Sequence, residues 1–160
     1  MANGIKKVHD QVSDRLDDLL KKAKASEAFL QRDAYPVYVE AQKKRFITEN
    51  ASETGKWGAL NLTYAEWKRK NFSDYVGGGT KIGIRSGRLV SSILGEMFGS
   101  GKSEDGTKEH YKYIKGSTMI VGTATPYAKH FDDTRPLMKF RPEFINEIKE
   151  RYYSYIKRFK

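Results

Sequence analysis

The sequence predicts an α+β domain with N-terminal helices, a small antiparallel sheet with a long hairpin loop, and a C-terminal amphipathic helix. Three observations lead there. Apolar residues recur every three or four positions near both ends of the chain, as one face of a helix requires. Residues 111–114 and 117–123 alternate in the manner of strands. The order of elements, helices then strands then a helix, segregates the two kinds of structure. Two stretches organise the rest, KIGIRSGRLVSSIL from Lys81 to Leu94 and VGTATPYAKHFDDTRP from Val121 to Pro136. Each joins an apolar run to a Gly or Pro turn with Lys or Arg beside it.

The 160 residues suit a single domain, 1–160, with a helical arm over about 1–30 and a flexible loop over about 99–110. Apolar residues make up 38% of the chain and aromatic residues 12%, enough for a core. A mean hydropathy of −0.71 leaves little apolar surface to spare. The net charge of +10 favours acidic partners: nucleic acid, anionic lipid or an acidic protein face. The absence of cysteine excludes a disulfide framework and Cys-based zinc sites, and fits a reducing compartment. The opening MANGIKKVHDQV has no apolar core of a signal peptide, and no apolar run approaches the roughly 18 residues of a membrane span. The expectation is a soluble chain with no membrane partner. On that expectation the Asn-x-Ser/Thr triplets at Asn50, Asn61 and Asn71 read as chance matches.

Residues 4–24 read as an amphipathic helix, with Ile5, Val8, Val12, Leu16, Leu19 and Ala23 on one face. Lys6, Asp10, Asp14, Asp17 and Lys21 occupy the other. A second helix starts near Asp33, with Pro36 in its first turn, and runs with Tyr35, Val39, Gln42 and Phe46 on one side. Asn50 to Gly55 ends it. Thr63 followed by Glu66 forms a capping box, with Leu62 and Trp67 placed as a hydrophobic staple, so Tyr64 to about Asn71 is a short helix. Trp57, Leu60 and Leu62 precede it in a loop that must be docked to bury them.

Tyr75 to Thr80, with three consecutive glycines, reads as a flexible joint. Ser86 caps a helical turn, GRLVSSI, leading into a strand that ends near Phe98. Gly99 to His110 is poor in apolar residues and reads as a long mobile loop. Pro126 to about Phe131 is one helical turn, Asp132 to Pro136 a turn, and Leu137 to Phe140 a short extended piece. Pro142 opens the last helix, whose stripe is Phe144, Ile148, Tyr152, Tyr155 and Phe159, widened by Ile145 and Ile156. Arg151, Lys157, Arg158 and Lys160 load its final turns with positive charge, which the helix dipole favours.

Motifs for catalysis or cofactors fail on spacing. GSGKS at Gly99 to Ser103 has Glu96 where a phosphate-binding loop needs its first glycine, and EDGTKEH after it is a poor helix. His130 with Asp132 and Asp133 offers metal-ligand types, but His9 and His110 lie in unrelated segments. No Ser/His/Asp arrangement is visible, so no enzyme, metal or cofactor is expected. Basic tracts at Lys43-Lys44-Arg45, Lys68-Arg69-Lys70 and Arg151 to Lys160 suit phosphate, and the last interleaves with tyrosines. Those tyrosines fall on the apolar stripe, where core packing accounts for them.

Four pieces in order carry a resemblance. Trp57 and Leu60 stand before a Lys-bearing helix. Ser86, Gly87 and Leu89 follow with Ser92, then Val121-Gly122-Thr123 with Tyr127, Ala128 and His130, and finally Arg135-Pro136. Over about residues 37–150 this resembles the virion morphogenesis, or tail completion, family of tailed bacteriophages. Two positions depart from its pattern: His130-Phe131-Asp132-Asp133 stands where Gln and Gly often follow, and Leu137 stands where Phe or Trp often follows Arg-Pro. The resemblance implies a virion protein, assembled in the host cytoplasm, that forms a ring at the neck or top of the tail. Six copies is the expected number. Its partners would be its own copies, tail-tube and connector proteins, and by non-specific contact the packaged DNA. Trp57, Leu60, Gly87, Leu89, Gly122, Tyr127, Ala128, Arg135 and Pro136 would serve as structural or interface positions. The alternative reading is a basic protein associated with nucleic acid.

Overall fold

The computed structural model describes residues 3–159. The side chains of Ile5, Lys6, Val8, Asp10, Val12, Ala23 and Phe159 invoked above, and all of Lys160, lie outside the described residues. The α+β prediction holds: helices α1 (Asn3–Phe29), α2 (Tyr35–Thr48), α3 (Leu62–Asn71) and α4 (Arg88–Leu94) precede strands β1 (His110–Lys115) and β2 (Thr118–Thr123). Helices α5 (Ala128–Thr134) and α6 (Pro142–Ile156) follow.

The first helix does not stop near residue 24. It continues through a π turn, Leu30–Ala34, directly into α2. Pro36 explains the turn. Proline lacks an N–H and its ring crowds the carbonyl four residues back, so a helix that continues through it must widen. The Tyr35 N–H accordingly donates to the Leu30 carbonyl, five residues back. The α2 helix ends where Glu49 and Asn50 take left-handed φ values of 52° and 70°. Asn50 is buried and its Nδ2 donates to Gly55 O at 2.7 Å, closing the following turn.

The core is built around α4. Leu89 to Leu94 are all buried, among Tyr38, Val39 and Phe46 of α2, with Trp57, Ile82, Ile84 and Leu137. Ser91 and Ser92, which interrupt the apolar run, are buried with their hydroxyls engaged. Ser91 Oγ donates to Gly87 O and accepts the Gly106 N–H. Ser92 Oγ donates to Leu89 O, with the hydroxyls of Thr123 and Thr125 at 2.7 and 2.8 Å. The strand expected after this helix is absent: residues 95–98 form none. Gly95 has φ 75°, and a Cβ there would sit 2.7 Å from His110 Cδ2, so the chain turns out of the core at that point.

The segment 99–110 therefore joins a helix to a strand and is not a hairpin loop. It is also docked. Val76 N–H donates to Lys102 O, Glu104 N–H to Ser86 O, and Gly106 packs against the Arg88 carbonyl. The hairpin itself turns in two residues, Gly116 and Ser117, with register Lys115↔Thr118 through His110↔Thr123. Its tip is tied down by Gly116 N–H donating to Glu27 Oε2 at 3.0 Å.

The glycine joint at 77–79 is likewise a packed turn. Gly79 is buried at φ 68°, and a Cβ would lie 2.8 Å from Arg69 Cα, so only glycine lets this turn lie on α3. The cap of α3 is Asn61, whose Oδ1 accepts the Thr63 N–H, in place of the predicted Thr63 box. No staple forms, because Leu62 is exposed. On α6 the predicted stripe is correct through Phe144, Ile148, Tyr152 and Tyr155. Tyr152 and Tyr155 pack on Phe29, and Tyr152 O–H meets Ser26 Oγ at 2.8 Å.

Candidate functional site

The two organising stretches meet across a cleft of about 430 Å³. One wall is the segment from Gly83 to Leu89, and the other is Tyr127, His130, Phe131 and Arg135 on and beside α5. Leu60, Tyr64 and Lys68 close the end. Five of the nine motif positions line it: Leu60, Gly87, Leu89, Tyr127 and Arg135. Trp57 and Pro136 brace it from behind. The Trp57 ring stands edge-on to Phe131 with centroids 5.3 Å apart, and its Nε1 donates to Pro136 O at 3.3 Å. Gly83 lets the indole approach, since a Cβ there would be 2.8 Å from Trp57 Cζ3. Ala128 is buried in the core beside them. Gly122 stands apart, in β2 opposite Tyr111, on the outer face of the hairpin.

Lys68, Arg85 and Arg135 line the cleft together with His130, and no Asp or Glu does among the described residues. Lys68 is 2% exposed and donates to the Lys81 carbonyl. Burial pushes its ammonium down to about 8, and Arg85 adds to the effect against an opposing pull from Glu49. Arg135 donates from Nη2 to Gly58 O at 3.3 Å, while its buried Nε has no partner. Burial also raises the Tyr127 phenol above its usual value, with Arg85 and Arg88 pulling the other way. A carboxylate-free pocket of cations attracts an oxyanion.

The other sequence candidates are accounted for in place. Arg45, in the first basic tract, is fully buried, donating to Lys139 O at 2.7 Å and lying 4.6 Å from the Phe140 ring. Its neighbour Lys43 pairs with Glu40 and Glu96. GSGKS runs past Tyr75, with Lys102 Nζ 4.6 Å from that ring. Asp132 Oδ1 accepts the N–H groups of Leu137 and Met138, and Asp133 pairs with Lys129, so His130 does not gather them as ligands. Arg88 and Glu109 form a bidentate pair extended to Thr125, which holds Glu109 below the usual carboxylate range.

Arg85 was not singled out by the sequence, and Lys68 was noted only as part of the basic tract Lys68-Arg69-Lys70. The signal for Lys68 is its place between Ala65 and Phe72, a three- and four-residue step that turns inward while Leu62, Tyr64 and Trp67 face out. Large apolar side chains stay exposed on three separate faces. These are Leu16, Leu19 and Leu20 of α1; Leu62, Tyr64 and Trp67 of α3; and Tyr111, Tyr113 and Ile120 on the outer side of the hairpin. Every described side chain from Ser13 to Lys22 is exposed. Among the described residues no helix is long and apolar enough to cross a membrane. Compared with protein-family models, curated proteins and solved structures, the chain matches none of them.

Proposed function

We propose that the chain is a structural protein of a tailed-phage particle, forming a ring at the neck or top of the tail that completes the tail and joins it to the head. It works by binding, without catalysis, in the virion after assembly in the host cytoplasm. Its neighbours are further copies of itself, then tail-tube and connector proteins. The phage assignment rests on the ordered motifs from Trp57 to Pro136. The assembly reading is carried by one observation: large apolar side chains stay exposed on three different elements, α1, α3 and the hairpin. Exposed apolar patches mark interaction surfaces, and a ring needs one patch to meet a different patch on the next copy.

The carboxylate-free cleft and the net charge of +10 favour a second reading, a basic protein associated with nucleic acid. One experiment separates the two: the solution mass by light scattering behind a sizing column, at low and high salt, with and without DNA. A species several times 18.4 kDa supports the ring. A monomer that shifts only with DNA, and loses it steeply with salt, supports the second reading.

A further inference from the structure

The cleft between Gly83–Leu89 and α5 gathers cations whose charge the lining does not neutralise. Among the described residues, three arginines are not exposed. Arg45 and Arg88 have glutamate partners, Glu53 and Glu109, and Arg135 has none. The Arg135 Nη2 is spent on Gly58 O, and its buried Nε has no partner. Arg85 stands exposed in the opposite wall, close enough to Lys68 for the two like charges to oppose each other. Lys68 is buried and gives one ammonium hydrogen to the Lys81 carbonyl, which leaves two. Glu49, the carboxylate that pulls on Lys68, is engaged elsewhere: it accepts the Ile82 N–H and pairs with Lys56. The rest of the lining is mainly apolar or aromatic, with Leu60, Leu89, Phe131 and the exposed rings of Tyr64 and Tyr127.

We propose that this cleft is a binding site for a nucleoside 5′-phosphate, free or at the end of a DNA strand, with the phosphate held by Lys68, Arg85 and Arg135 and the base against the tyrosine rings. The charge count selects phosphate over carboxylate. A carboxylate offsets one of the three cations, whereas a phosphate monoester carries close to two charges on three acceptor oxygens. The planar fork of arginine matches phosphate, and lysine adds a point charge. Aromatic faces stack on a base whatever its identity, so the site reads the class of ligand and not the sequence. A cavity of about 430 Å³ is in the size range of small-ligand sites. Leu60, Tyr64 and Lys68 close one end, which suits a strand terminus better than a strand passing through. The site is built within one copy, so it stands or falls separately from assembly.

Calorimetric titration of the full chain tests it, with thymidine 5′-phosphate, thymidine and inorganic phosphate as probes. The nucleotide should bind at least about tenfold more tightly than either fragment, because only it fills both halves of the cleft. Arg85→Ala removes an exposed cation and should weaken the nucleotide by about tenfold, with far-ultraviolet dichroism confirming the fold. Arg151→Ala removes the same charge from α6, outside the lining, and should leave the affinity unchanged. Equal losses in the two variants point to a diffuse field and overturn the site. So does succinate binding as tightly as the nucleotide, or a nucleotide that does not bind at millimolar concentration. Oligothymidylate with and without a 5′-phosphate then identifies the source. A phosphorylated strand that binds more tightly than both the bare strand and the nucleotide assigns a DNA end, and a nucleotide that outbinds both strands assigns the free ligand. Strands that bind alike with and without the terminal phosphate, and more tightly than the nucleotide, replace the site with contact along the DNA backbone and overturn it.

Discussion

The centre of the body and the arm are both helical, yet they are held by different things. Around α4 every side chain from Leu89 to Leu94 is buried, and even Ser91 and Ser92 have their hydrogen bonds met inside the protein. Along Ser13 to Lys22 every side chain is exposed. Helix α4 is only seven residues long, too short to persist by propensity, and exists because its surroundings fill. The arm has length and amphipathic spacing and lacks surroundings. Stability is therefore concentrated in one region and unused binding surface in the other.

The sharpest way to break this contrast is at the tryptophans. Trp57→Ala should cost about 3–5 kcal/mol, since Trp57 is 4% exposed and touches Phe46 and Phe131. Trp67 is 45% exposed and stacks on Tyr64, so Trp67→Ala should cost about 1 kcal/mol. Urea unfolding midpoints decide it, and equal losses at both positions would contradict the assignment of Trp57 to the core. Next is Lys68, whose ammonium is depressed from 10.5 to about 8. Between those values the unfolded chain keeps a proton that the folded amine releases. Wild type should therefore gain on Lys68→Met as pH rises through that window, by at most about 3 kcal/mol, and gain nothing below it. Parallel stability curves from about pH 7.5 to 10 would show that the amine is better solvated than its burial implies. The smallest effect belongs to the arm. Leu16→Gln with Leu19→Gln should leave the body's unfolding free energy within about 0.5 kcal/mol, and a larger loss would place those leucines in a packed interior.

Helix faces and the hairpin were legible in the sequence because they rest on local periodicity. The stripe of α6 and the alternation of residues 111–123 each follow from one element meeting one surface. What was missed depends on groups distant in sequence. A strand ending near Phe98 was expected after the turn GRLVSSI, with Ser91 and Ser92 read only as an interruption of the apolar run. Those serines are instead satisfied from Gly106, Thr123 and Thr125. The glycines at 77–79 looked loose, although Gly79 is required by contact with Arg69 in α3. Two cations inside basic tracts, Arg45 and Lys68, are buried where carbonyls of Lys139 and Lys81 receive them. A run of like charges gives no hint of such a partner. The cleft was half legible: its two main walls are the stretches picked out at the start, but their facing across Phe131 is a tertiary fact.

The unbroken helix from α1 through the π turn to α2 has a mechanical consequence. A flexible tether would let an arm be tugged without disturbing the body. Here the arm is a lever whose other end is α2 itself, bolted to the chain at Leu137 by Gln42 and at Lys139 by Arg45. Load applied at the tip is delivered to the segment that leads into α6, so a grip on the arm is felt at the carboxy-terminal end of the molecule.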